Sequence, residues 1–89
     1  MKAKELILNI AVNLNRISRY TMDGKEKRVK QFTEENAGFI KEVDKLKLNS
    51  NFKKTFDLFK KRMVDFNDPE DFSTWANILT HRVKLLVTS

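Results

Sequence analysis

The chain has 89 residues with no cysteine, two glycines and one proline, and its 18 basic and 12 acidic side chains give a formal net charge of +6. Residues 1–89 are too few for a second domain but enough for one modest core. Without cysteine there is no disulfide framework and no thiolate metal site. With so few turn residues, a many-stranded sandwich or barrel is excluded as well.

The first apolar pattern is a helix over residues 3–22. Ile7, Ile10, Leu14 and Ile17 recur at helical spacing, and Leu6 and Ala11 widen the stripe. Leu8 and Val12 lie off that stripe, one turn apart on the far side. Asp23-Gly24 ends the helix, because glycine accepts the positive φ of a tight turn. Residues 25–47 predict a second helix, with Val29, Phe32, Phe39, Val43 and Leu46 on its seam. Asn36 takes a seam position among them, where a polar side chain costs stability and sets register. Thr33-Glu34-Glu35 also reads as a helix start, so a break near residues 31–33 is the alternative.

The third helix, residues 51–66, organises the rest. Phe52, Phe56, Phe59, Met63 and Phe66 follow at steps of four, three, four and three, which gives one continuous apolar seam. Lys53, Lys54, Lys60, Lys61 and Arg62 fall on its back and one flank, while Asp57, Asp65 and Leu58 are expected on the other. Asn49 or Ser50 caps its start. The fourth helix begins with Asp68 as N-cap, Pro69 in the first helical position and Glu70 and Asp71 in the first turn. It runs to about Val87 with Phe72, Ala76, Leu79, Val83 and Leu86 on its seam. Trp75 lies at the seam's edge, and Ile78 and Leu85 share another side.

Four amphipathic helices with short connections imply an all-α, antiparallel up-down-up-down four-helix bundle. The aromatic seam of the third helix needs small or branched partners, which the first helix supplies. The centre of the core is therefore expected between those two.

Chemistry finds little to work with. His81 is the only histidine, between Thr80 and Arg82, with no acidic neighbour in sequence. Glu34, Glu35, Glu42 and Asp44 form no Glu-x-x-His arrangement, and no glycine-rich phosphate loop occurs. The expectation is a protein that is not an enzyme, with no cofactor, no metal and no small-molecule substrate. Met1-Lys2-Ala3-Lys4 begins like a signal peptide, but Glu5, Asn9 and Asn13 interrupt the apolar run. No segment approaches the roughly 20 apolar residues of a membrane span. A soluble cytoplasmic protein without membrane insertion is expected.

Two binding readings remain. Leu8, Val12, Trp75, Ile78 and Leu85 are apolar residues off the main seams. Either they widen the core, or they form a strip shared by the first and fourth helices that binds a protein partner or a second copy. The alternative is nucleic-acid binding through Lys53, Lys54, Lys60, Lys61 and Arg62, with Lys25, Lys27, Arg28 and Lys30 as a second cluster. The aromatics of that helix are committed to its seam, so base-specific reading is not expected.

The length, the helical plan, the Lys/Asn/Phe-rich composition and the run from Asn15 through Arg16, Ile17, Ser18 and Arg19 to Tyr20 resemble small accessory proteins of T-even-like bacteriophages. The likeness is to cytoplasmic antiholins of the rapid-lysis III type. The resemblance implies a regulatory protein of lysis inhibition that binds the inner segment of a membrane-borne holin. It carries no functional residue across.

Overall fold

The structure is a computed structural model that describes residues 2–86. It is all-helical, with α1 (Ala3–Met22), α2 (Glu26–Asp44), α3 (Ser50–Met63) and α4 (Pro69–Arg82), followed by a 3₁₀ turn at Val83–Leu86. Among the described residues there is no strand, and no helix is long and apolar enough to cross a membrane. The helices pack as a bundle 42 × 21 × 18 Å across.

Local signals set the ends of these helices. Gly24 takes φ 70° at the α1–α2 turn. α2 passes through residues 31–33 without the break that Thr33-Glu34-Glu35 suggests. No glycine or proline lies there, and each further residue adds a hydrogen bond without a new nucleation cost. Asn49 caps α3 by accepting from the Asn51 N–H at 2.9 Å, and Asp68 caps α4 by accepting from the Glu70 N–H at 3.2 Å. Pro69 follows in the first turn of α4, where no N–H is needed. Asp68→Ala is expected to destabilise the fold by about 1 kcal/mol, read from urea denaturation. An unchanged midpoint would mean that the cap is redundant. α4 ends at Arg82, about five residues short of the expected end, and continues as 3₁₀ over Val83–Leu86; Val87 lies outside the described residues.

The core joins all four helices. Ile7, Ile10, Ala11 and Leu14 of α1 pack with Ile40 and Val43 of α2, Phe52, Phe56 and Phe59 of α3, and Ala76, Leu79 and Val83 from the C-terminal part. The stripe of α1 is buried as its spacing predicts. The seam of α2 differs in several places: Val29 and Phe32 are only half-buried and stand outside the core, Phe32 stacking on Tyr20 at 5.8 Å. Ile40 is buried without having been placed on the seam, and Leu46 is 39 % exposed because the helix ends at Asp44.

The expected pairing of α1 with α3 holds for side chains but not for backbones. α1 packs directly on α2 and α4, whereas no Cα of α3 lies within 8 Å of a Cα in α1 or α2. Side-chain size accounts for this. Ala11 and Ala76 are fully buried, and Ser73 and Ser18 meet by a 2.8 Å hydrogen bond, so α4 can approach α1 closely. The three buried phenylalanines of α3 reach into the same core but hold their own backbone away from it.

Candidate functional site

The five apolar residues off the seams separate into different environments. Leu8, Trp75 and Leu85 are half-buried and pack against the core, which is the core-widening alternative. Trp75 lies 5.7 Å from Phe59, ring centre to ring centre. Val12 is 47 % exposed on α1, and Ile78 is half-buried on α4.

Trp75 and Ile78 share an open depression of about 500 Å³ between α3 and α4. Its other walls are Lys54, Thr55 and Leu58 of α3 and Asn77, His81 and Arg82 of α4. No residue of α1 lines it, so Leu8 and Val12 stand apart from this depression. The turn of Trp75 toward Phe59 faces this part of α4 to α3. Leu58 is the member that sequence reasoning missed as a binding residue. It is 44 % exposed, and its distance from the aromatic seam was its only signal. Its lining therefore joins apolar Leu58, Trp75 and Ile78 to Lys54, Arg82 and His81, and no acidic residue lines the depression.

The lysine flank is less uniform than its spacing suggests. Lys53 Nζ lies 3.1 Å from Asp57 Oδ2. Lys60 Nζ lies 2.7 Å from Asp44 Oδ1 on α2 and 3.9 Å from Asp57 Oδ1. Asp57 therefore sits between Lys53 and Lys60 rather than on the opposite flank. The helical period explains this: residues four before and three after share a face. Such exposed pairs contribute little stability, but they reduce the positive field available to a polyanion. Lys54, Lys61 and Arg62 are exposed and make no ion pair among the described residues. In the second basic cluster, Lys25 lies over the Tyr20 ring at 5.9 Å and Arg28 donates to Gln31 at 3.3 Å. Lys27 and Lys30 are exposed.

Polar residues inside the bundle were the least legible. Asn13 is 1 % exposed on α1; its Nδ2 donates to Glu35 Oε1 at 2.9 Å, and its Oδ1 accepts from Arg16 at 3.1 Å. Ser18, 3 % exposed, donates to the Pro69 carbonyl at 2.8 Å. These bonds lock α1 to α2 and to the start of α4. Asn36, on the seam of α2, donates from Nδ2 to the Ile10 carbonyl at 3.2 Å. His81 is exposed, and among the described residues no three histidine, aspartate or glutamate side chains converge as a metal site would need.

No known protein family, curated protein or solved structure matches this chain.

Proposed function

We propose that this chain acts by binding another protein and is not an enzyme, and that the α3–α4 depression is its contact surface. The carrying observation is that apolar Leu58, Trp75 and Ile78 line one depression together with Lys54, His81 and Arg82. Such a surface suits an amphipathic segment with apolar anchors and acidic flanks. The bundle is read as antiparallel and up-down-up-down, since α1 lies between α2 and α4 and the connections at residues 23–25, 45–49 and 64–68 are short. A cytoplasmic protein contacting the inner segment of a phage holin, and so delaying lysis, is the specific form of this reading that the resemblance favours.

Trp75 is the only tryptophan, so its emission reports directly on the depression. The test uses a synthetic amphipathic helix with leucine at i, i+3, i+4 and i+7 and glutamate elsewhere, beside its lysine counterpart. The glutamate peptide is expected to shift Trp75 emission saturably, more weakly as salt rises. Leu58→Glu, at a site 44 % exposed, should weaken that binding at least roughly tenfold while the domain still melts cooperatively. Equal binding of both peptides, or of neither, overturns the reading. If instead a DNA or RNA duplex binds with a steep salt dependence, and Lys54→Glu with Lys61→Glu abolishes it, the nucleic-acid alternative replaces it.

A further inference from the structure

The face that carries the α3–α4 depression is polarised along its length. On α3, Lys54, Leu58, Lys61 and Asp65 follow at steps of four, three and four, and all are exposed. Asp65 lies just past the helix end, but Val64 keeps helical angles (φ −66°, ψ −20°), so the period carries through to it. On α4, Asp71, Trp75, Ile78 and Arg82 repeat the same steps with the charges in reverse order. Lys54, Leu58, Trp75, Ile78 and Arg82 line one depression, so the two stripes share a face and run antiparallel. At the other end Phe66 meets Phe72 at 5.1 Å, which brings the neighbouring Asp65 and Asp71 to that end together. The face is therefore basic at one end, apolar in the middle and acidic at the other end.

None of these four charged side chains makes an ion pair among the described residues. Asp71 accepts from the Asn67 N–H at 3.3 Å, which leaves its charge uncompensated. The stripes are also symmetric about one height. On α4 the midpoint of Asp71 and Arg82 is that of Trp75 and Ile78, and on α3 the midpoint of Lys54 and Asp65 is that of Leu58 and Lys61.

We propose that the occupant of this face is a second copy of the chain, its own α3–α4 face packed antiparallel about a two-fold axis at that height. The proposal rests on the reading of the depression as a protein-contact surface. The acidic flank that the depression asks of a partner is present on the chain itself. About this axis Asp71 of each copy meets Arg82 of the other, Lys54 meets Asp65, and Trp75 meets Ile78. Lys61 falls opposite Leu58, with its stem along the apolar centre and its amine at the edge. Such a self-complementary contact closes after two copies. Turning the second copy so that the helices run parallel would set basic end on basic end and acidic on acidic, and like charges reject that arrangement.

The test is sedimentation equilibrium of the full chain over a wide range of concentration. A monomer–dimer equilibrium that weakens as salt rises is expected, and the glutamate peptide should compete with the second copy. Arg82→Glu alone and Asp71→Arg alone should each dimerise at least roughly tenfold more weakly than the parent, because each sets like charges together at both ends. Mixing these two variants should restore the dimer, since every charged contact between unlike copies is then of opposite sign. Lys54→Glu and Asp65→Lys give the same test on α3, and they decide the matter if an α4 variant does not fold. A parent that stays monomeric while the glutamate peptide binds overturns the dimer and leaves the contact surface standing. A monomeric parent that binds neither peptide overturns both. Single variants that dimerise like the parent, mixtures that stay monomeric, or assemblies larger than a dimer also overturn the proposal.

Discussion

Phe59→Ala is expected to cost about 3–5 kcal/mol, a large part of the 5–15 kcal/mol that stabilises a typical domain. The size of the effect comes from position rather than from ring type alone. Phe59 is fully buried, and its ring lies 5.7 Å from Phe56, 6.4 Å from Phe66 and 5.7 Å from Trp75. Removing it empties a site that three aromatic neighbours cannot refill without leaving their own contacts. For a chain of this size each kcal/mol moves the melting midpoint by about 4–8 °C, so the variant should melt at least ten degrees below the parent. Phe66→Ala provides the comparison. Phe66 is only half-buried, beside Phe72 at 5.1 Å, and its loss should be clearly smaller. Equal losses from both substitutions would mean that α3 is not seated by Phe59.

The second large effect is expected at the α1–α4 contact. Ala76 has no exposed surface and sits where α4 lies directly on α1. Ala76→Asp would place a carboxylate there with no space for water and no basic partner built to receive it. An unpaired buried charge costs several kcal/mol, enough to unfold much of the population. Burial favours the neutral acid, so the folded form of the variant holds its proton more tightly than the unfolded form. The destabilisation should therefore be small at low pH and grow as the pH rises through the ordinary carboxylate range. Asn77→Asp, one residue on and exposed, should show almost none of this. Thermal melts of the three proteins at several pH values check both statements. A variant Ala76→Asp that melts with the parent near neutral pH would mean that α4 does not pack against α1 as described.

The helices, their caps and the identity of the core stripes of α1 and α3 were legible in the sequence. Periodicity is a local property: a helix fixes the angle between successive side chains, and Ile7, Ile10, Leu14 and Ile17 share a face whatever they pack against. Asp68 and Asn49 were legible for the same reason, since each accepts from a backbone N–H two residues on. How wide each apolar face becomes was not local. Leu8 is half-covered and Val12 is exposed, although they lie one turn apart on the same side of α1. The difference lies in the neighbours that happen to stand there. Asp57 is similar: its place between Lys53 and Lys60 follows from the helical period, but the 2.7 Å bond from Lys60 to Asp44 required α2 to be brought alongside.

The tertiary structure alone decided which helices touch. Short connections leave the order of neighbours open to side-chain volume, and Ala11, Ala76 and the bonded pair Ser18–Ser73 draw α4 onto α1. Three phenylalanines keep the backbone of α3 away from α1 and α2. Trp75 and Ile78 share a depression with Leu58 of α3. Bulky rings in α3 and small residues in α4 set unequal distances between the helices. That inequality arises only once the side chains of separate helices compete for the same space.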